Sequence, residues 1–322
     1  MKHTEVPLAK TVIETSKKKK GGTRRAIRKN LSLYLLLLLP FVYILVFKYY
    51  PMYGAQIAFK DYNPALGIEG SPWVGLKHFI NFFQSYIFKR VITNTLSISI
   101  YSLLVGFPIP ILLALSLNYS ISKSLKRTVQ MITYAPHFIS TVVIVGILLQ
   151  FLATRNGLIN NLIELFGGKR VDFLGSPQYF SSIYVWSGIW QNMGFSSIIY
   201  ISALAGVDPE LHEAAVMDGA TILQRIRHID LPSIQATITI LLILSCGNVL
   251  TVGYEKILLM QNDLNLTVSE VIDTYVYKIG LASPLGNYSY ASAIGLFTSA
   301  INFSILLVVN KLAAKIGHQS LI

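Results

Sequence analysis

Apolar residues occur in long blocks along this chain rather than in the short alternating runs typical of soluble domains. Six blocks are almost free of charged side chains, and about 20 consecutive apolar residues in a helix cross the hydrocarbon core of a bilayer. The predicted spans are residues 31–50, 93–117, 129–153, 181–204, 234–253 and 290–310. This pattern predicts an all-α, polytopic membrane protein with six transmembrane helices.

The composition agrees with a bilayer as the main solvent of the chain. Of its 322 residues, 53% are hydrophobic and 13% are charged, whereas soluble domains carry about 25% charged residues. The apolar blocks recur over the whole length and leave no room for a separate soluble domain. We therefore predict two parts, a basic cytoplasmic tail over residues 1–30 and a transmembrane domain over residues 31–322.

The formal net charge of +12 comes in large part from a cluster of Lys and Arg residues directly before the first span. Such a cluster binds anionic membrane lipid or fixes the orientation of the helix, so the charge does not point to a nucleic acid. Basic residues are also more frequent in the segments that are cytoplasmic when the N-terminus is inside. Both termini are therefore predicted to be cytoplasmic.

Few residues offer catalytic or metal-binding chemistry. Cys246 is the only cysteine, and His78 and His137 have no second ligand at metal-binding spacing. The sequence also lacks a GxxxxGKS or GxxxxGKT phosphate loop, so a nucleotide would have to bind another polypeptide. We predict no enzyme activity, no metal and no cofactor in this chain.

The most informative segment is a polar loop between the fourth and fifth spans, residues 206–232, which reads GVDPELHEAAVMDGATILQRIRHIDLP. Asp208 can cap a helix whose first residue is a proline. Gly219 can supply the left-handed residue that ends this helix, and Thr221 opens a capping-box pattern for a second helix. Pro232 is expected to end that second helix. The loop is thus predicted to form a helix, a glycine corner and another helix.

Seven positions of this loop resemble, without a gap, the EAA signature of the permease subunits of ABC importers. They are Glu213, Ala214, Ala215, Gly219, Ile229, Leu231 and Pro232. The resemblance implies the type I ABC importer permease fold, in which this loop forms a cytoplasmic coupling helix that docks in a cleft of the ATPase subunit. Glu213 would then pair with a basic group of the ATPase. We assign the seven positions, together with Asp218, to ATPase coupling.

The same resemblance implies an assembly in a bacterial cell membrane. A second, homologous permease, two ATPase subunits that bind ATP and Mg, and an extracellular solute-binding protein would complete the transporter. Residues 49–79 also resemble the external segment of permeases that import oligosaccharides, including the alginate and pectin-fragment branch. The expected solute is therefore an oligosaccharide.

Polar and aromatic residues in the spans are candidates for the solute pathway, because polar groups are costly in lipid and usually face the protein interior or a water-filled path. Amides and hydroxyls suit the hydrogen bonds of sugars, and aromatic faces suit their C–H surfaces. The candidates are Trp186, Trp190, Gln191, Asn192, Ser245, Asn248 and Tyr254, of which Ser245 and Asn248 share one helix face. Helix packing is the alternative role, since Ser and Asn often join helices and Trp lines membrane interfaces.

Other classes of function fit the sequence less well. A secondary transporter typically has intramembrane carboxylates or broken helices that coordinate an ion, and no Asp or Glu lies in the six predicted spans. A membrane enzyme or scaffold would need a catalytic cluster or a large soluble domain, and the sequence shows neither. Among ABC importers, a permease for amino acids or peptides is the alternative.

Overall fold

The computed structural model describes residues 30–284 and 286–315. In these two ranges the secondary structure is helical, without a β-strand, and one isolated antiparallel bridge joins Lys60 to Trp73. The predicted all-α class is therefore confirmed. The chain divides into two compact units, residues 1–55 and residues 56–322.

The described part of the first unit is a run of helical turns. The α-helices Leu31–Ile44 and Tyr50–Met52 are joined by a π-helical turn, Leu45–Tyr49. The first helix is rich in leucine and apolar on every face, which is the pattern of a helix surrounded by lipid. The basic tail predicted for residues 1–30 lies outside the described residues, except for Asn30.

The second unit contains long helices separated by groups of short ones. Its α-helices are Gly67–Gly70, Lys77–Gln84, Tyr86–Gly106, Pro108–Asn118, Lys123–Tyr134, Thr141–Leu152, Leu158–Leu165, Pro177–Leu204, Pro209–Met217, Ile222–Arg225, Leu231–Ser233, Gln235–Cys246, Tyr254–Met260, Leu266–Ser269, Ile272–Tyr277 and Tyr288–Lys315. It also contains the 3-10 helix Ala135–Phe138 and the π turns Ile226–Asp230 and Lys278–Ala282, and the boundary between the units falls within the 3-10 helix Tyr53–Phe59.

Up to five parts of the described chain are long and apolar enough to cross a membrane. They are Leu31–Phe59, Tyr86–Asn118 and Tyr288–Lys315, together with two bent pairs if each pair is one span, Lys123–Phe138 with Thr141–Leu152 and Ile222–Ser233 with Gln235–Cys246. The fourth predicted span lies in the helix Pro177–Leu204, hereafter the long helix, which has 28 residues. The long helix is long enough to cross a membrane but less apolar than the other segments. The described residues therefore contain three to five segments that are both long and apolar enough, against the six spans predicted.

The third and fifth predicted spans differ from straight helices. Residues 129–153 form two helices that meet at 103°, because Pro136 lies in a 3-10 turn after the first helix and the Ser140 side chain caps the second. The helix within residues 234–253 ends at Cys246 and is bent by 64° from the helix before it. Capping and proline chemistry therefore interrupt blocks that the apolar pattern alone predicts as continuous.

The long helix is held on two sides by close packing. It buries a cluster of apolar side chains against the helix Pro108–Asn118 and the start of the fifth predicted span, namely Ala114, Leu115, Tyr200, Leu204 and Ile234. It also crosses the helix Lys123–Tyr134 at Gly194, where a Cβ would lie 2.2 Å from the Thr133 carbonyl oxygen. Only glycine permits this approach. The long helix thereby fixes the position of the polar loop that follows it.

Candidate functional site

The polar loop of residues 206–232 begins with a capped helix. The Asp208 carboxylate accepts the Glu210 N–H at 3.0 Å, and Pro209 is the first residue of the helix Pro209–Met217, hereafter the motif helix. The aspartate satisfies a free N–H group, and its charge complements the helix dipole. The motif helix therefore starts where the sequence predicts it.

The motif helix ends in the predicted glycine corner. Gly219 has a φ of 77°, which lies in the left-handed region that glycine enters without strain. The Gly219 N–H donates to the Val216 carbonyl at 3.0 Å, and the Ala220 N–H donates to the Ala215 carbonyl at 2.8 Å. These two bonds form the Schellman pattern that satisfies the last carbonyls of a helix.

A second helical run starts at the predicted capping box. The Thr221 side chain accepts the Gln224 N–H at 3.4 Å, and Gln224 Oε1 accepts the Thr221 N–H at 2.7 Å. The run extends over Ile222–Ser233 and ends one residue after Pro232, where the chain bends by 64°, so the predicted end agrees to within one residue. The run includes the π turn Ile226–Asp230, in which the backbone bonding shifts from i−4 to i−5.

The motif helix and the turn after it present a largely exposed surface. Glu213, Ala214 and Asp218 are exposed, whereas Ala215, Ile229 and Leu231 are half-buried. Among the described residues, neither Glu213 nor Asp218 forms an ion pair. Five large apolar side chains around them are 51 to 87% exposed, namely Leu211, Val216, Met217, Ile222 and Leu223. We call these five residues and Glu213 the motif surface.

A buried carboxylate lies beneath the motif helix. Asp230 is fully buried, the Tyr119 hydroxyl donates to its Oδ2 at 2.6 Å, and His212 Nε2 lies 3.3 Å from its Oδ1. His212 belongs to the motif helix, and Tyr119 directly follows the helix Pro108–Asn118. Carboxylates are almost never buried unless they are paired. Asp230 therefore ties the motif helix to the end of a predicted span.

Sequence reasoning missed this anchor because Asp230 occupies the unspecified position of the signature, between Ile229 and Leu231. The available signal was a single acid between two apolar residues. The Arg225 guanidinium lies 5.2 Å from the centroid of the Tyr119 ring. Burial, together with the hydrogen bond to Asp230, raises the pKa of Tyr119 to about 12. The phenol therefore stays protonated at neutral pH and remains a hydrogen-bond donor.

A candidate site for a solute is a cavity of about 680 Å³ beside the long helix, hereafter the main cavity. Ser245 and Asn248, predicted to share a helix face, both line it, together with Ser99, Ser102 and Ser196. Ligand pockets for small molecules typically have volumes of about 300–1,000 Å³. The main cavity therefore has the size and the hydrogen-bonding groups to contact a small saccharide.

A smaller cavity of about 270 Å³, hereafter the side cavity, adjoins the main one. The two cavities share Ser102, Gly106, Pro110, Tyr184 and Ser196 as walls. The candidates Gln191 and Asn192 line the side cavity. Both also bond to the protein, because the Gln191 amide donates to the Ile139 carbonyl at 3.2 Å and Asn192 Oδ1 lies 3.0 Å from His137 Nδ1. Gln191 and Asn192 thus join helices as well as facing the cavity.

The remaining pathway candidates lie elsewhere. Trp186 Nε1 donates to the Tyr101 hydroxyl at 3.0 Å, and neither Trp186 nor Trp190 lines the main or the side cavity. Tyr254 lines a third cavity of about 570 Å³. The structure therefore brings Ser245 and Asn248 together, places two candidate amides next to them, and separates the two tryptophans and Tyr254 from this group.

The chain belongs to the family described as binding-protein-dependent transport system inner membrane component, whose model matches residues 106–318. The matched region contains the long helix, the polar loop and Asp230. The class of the protein is thus a membrane permease subunit of a transport system that works with a solute-binding protein, as the EAA resemblance implied.

Two relatives from Bacillus subtilis (strain 168) match almost the whole chain. The polygalacturonan/rhamnogalacturonan transport system permease protein YteP is 43% identical over 98% of this chain and 98% of its own length. Protein LplB is 42% identical over 92% of each chain. At this identity and coverage, the family assignment extends to the residues before position 106.

Solved structures give the same fold. A chain of a bacterial ABC transporter involved in the import of the acidic polysaccharide alginate has a TM-score of 0.83 and 41% identity, covering 91% of this chain and 98% of that chain. A chain of the bacterial alginate ABC transporter in complex with an alginate pentasaccharide-bound periplasmic protein has a TM-score of 0.84 and 40% identity, covering 93% and 99%. The fold is therefore that of an ABC importer permease.

Proposed function

We propose that this chain is the permease subunit through which a bacterial ABC importer moves an oligosaccharide delivered by an extracellular solute-binding protein. The proposal rests on one observation, that the same helix lines the main cavity and leads into the polar loop. The long helix lines the main cavity with Tyr184 and Ser196 and leads into the motif helix. Because packed helices move as rigid elements, a displacement of the motif helix would reach the cavity walls.

The chemistry of the main cavity supports a carbohydrate rather than an amino acid or a peptide. Serine hydroxyls and the Asn248 amide line it, and none of its described lining residues is charged. An amino acid brings a buried ammonium and a carboxylate, which are costly to bury without charged partners. The relatives named for polygalacturonan, rhamnogalacturonan and alginate support the same class of solute.

We infer that the motif helix is a cytoplasmic coupling helix that docks on the ATPase subunit. A patch of exposed apolar side chains rimmed by polar residues marks a protein interaction site, and the motif surface combines five such side chains with Glu213. Ala214 and Ala215 are small enough for a close approach of the partner backbone. Glu213 would pair with a basic group of the ATPase, and Asp218, Gly219, Ile229, Leu231 and Pro232 would shape the contact.

The proposed topology has six spans, with both termini in the cytoplasm. The long helix is the fourth span, and the two bent pairs contribute the third and the fifth. A second, homologous permease and two ATPase subunits complete the transporter, and ATP and Mg bind to the ATPase subunits. The chain itself is non-catalytic and supplies the path and the coupling contact.

The test is reconstitution in lipid vesicles with a homologous second permease, an ATPase subunit and a solute-binding protein from the same organism. ATP-dependent uptake of an oligosaccharide should require every component, and the isolated chain should hydrolyse no ATP. Uptake of peptides or amino acids instead of saccharides would support the alternative substrate class. ATP hydrolysis by the purified chain alone would refute its non-catalytic role.

A further inference from the structure

The two adjoining cavities contain an unbalanced positive charge. Among the described residues that line the main and the side cavity, Lys256 is the single charged side chain. It belongs to the short helix Tyr254–Met260, outside the candidate spans. Lys256 was not among the pathway residues predicted from the sequence.

The long helix holds this lysine at the wall of the side cavity. Lys256 Nζ donates to the Tyr184 carbonyl at 3.2 Å and lies 5.0 Å from the centroid of the Tyr184 ring. A Cβ at Gly188 would lie 3.5 Å from Nζ, an ordinary contact distance, so Gly188 borders the ammonium group. Within the described chain, Lys256 forms no ion pair with a carboxylate.

This environment suits the binding of an anion. Burial lowers the pKa of Lys256 to about 8, so most of the side chains remain protonated at neutral pH. An ammonium group has three donors, and the bond to Tyr184 uses one of them. Charge-assisted hydrogen bonds are stronger than neutral ones, and partial exclusion of water strengthens them further. An anionic group in the side cavity would therefore gain a strong contact.

We propose that Lys256 binds the carboxylate of an acidic sugar residue while an oligosaccharide passes through the adjoining cavities. This inference rests on the proposed function and names acidic oligosaccharides as the substrate class. The neutral hydroxyls and amide of the main cavity would contact the sugar rings whatever their charge. Lys256 would then distinguish an acidic oligosaccharide from a neutral one of the same length.

The experiment compares the uptake of trigalacturonate, its fully methyl-esterified form and maltotriose by the complete reconstituted transporter. Lys256→Met should lower trigalacturonate uptake about tenfold, because hydrogen bonds to charged groups contribute on this order. Uptake of the two neutral trisaccharides should keep its wild-type level. Lys256→Arg retains the charge and should restore most of the trigalacturonate uptake. For each sugar, uptake by the variant is divided by uptake by the wild type, so that the sugar preference of the solute-binding protein cancels.

Lys89→Met is the matched control, because Lys89 is exposed and lines neither cavity. It should leave the uptake of all three sugars unchanged, and co-purification of the subunits checks that each variant assembles. Equal losses for the three sugars in Lys256→Met would overturn the inference and leave the proposed function standing. So would a wild-type transporter that takes up the two neutral sugars but not trigalacturonate. An assembled transporter that hydrolyses ATP but takes up none of the sugars would contradict the proposed function itself.

Discussion

Removal of the Asp230 carboxylate is expected to release the motif helix from the rest of the fold. Asp230→Ala deletes the acceptor of the Tyr119 hydroxyl, at 2.6 Å, and the partner of His212, at 3.3 Å. Both partner groups would remain at a position where the native carboxylate is 0% exposed. The free-energy cost therefore includes the unpaired groups as well as the lost bonds.

The size of the effect follows from the burial of the three groups. Loss of a hydrogen bond to a buried carboxylate costs about 1.5–3 kcal/mol, and we expect the upper end, about 3 kcal/mol, because His212 loses its neighbour together with Tyr119. Tyr119→Phe removes the donated hydroxyl alone and should cost about 1.5–3 kcal/mol. The two changes remove the same bond, so the double variant should fall short of their sum by about 1–2 kcal/mol.

Hydrogen exchange of the motif helix in the assembled transporter measures this quantity, because local opening carries its own free energy. A loss of about 3 kcal/mol corresponds to exchange roughly a hundredfold faster over the motif helix. Arg227→Ala is the control, since it removes an exposed charge from the same loop, outside the residues assigned to the ATPase contact, and should change the opening free energy by about 0.5 kcal/mol or less. Exchange at the wild-type rate in Asp230→Ala, or strictly additive effects of the Asp230 and Tyr119 changes, would refute the anchor.

Three further changes test the loop and the main cavity. Glu213→Lys should lower solute-stimulated ATP hydrolysis and uptake together and weaken ATPase co-purification more than about tenfold, with membrane insertion intact; wild-type coupling would contradict the docking assignment. Gly219→Ala places a Cβ at a φ of 77° and should lower the free energy of opening the motif helix by about 1–2 kcal/mol. Hydrogen exchange of the motif helix measures this loss. Asn248→Ala should lower oligosaccharide uptake at unchanged subunit co-purification, and more than Trp190→Ala does; equal loss of uptake and assembly would favour a packing role.

The local geometry of the polar loop could be predicted from the sequence because each device depends on near neighbours. The Asp208 cap acts two residues along the chain, the capping box at Thr221 acts over three, and the Gly219 corner is a property of one residue. Ser245 and Asn248 line one cavity, although the helix ends at Cys246 and Asn248 lies beyond it. In each of the local loop features, the interacting groups are neighbours in the sequence as well as in space, so the spacing of the residues predicts the contact.

The remaining features depend on contacts that spacing does not encode. The partner of Asp230 is Tyr119, which lies 111 positions away in the sequence. Lys256 was missed for the same reason, since its environment is created by the long helix. The bend before Ser140 arises where two local signals, a proline and a serine cap, interrupt an apolar block whose hydropathy remains high. The contacts made by long-range packing, and the outcome of competing local signals, are therefore visible only in the structure.

Because of the π turn that ends in Asp230, the number of residues in the polar loop determines the direction in which the Asp230 carboxylate points. A π turn holds more residues than an α turn, and each residue advances a helix by about 100° around its axis. Deleting or inserting one residue between Gly219 and this turn would therefore swing the carboxylate away from Tyr119 and His212, even with every signature residue retained. The loop should tolerate substitution at many exposed positions while resisting any change in its residue count.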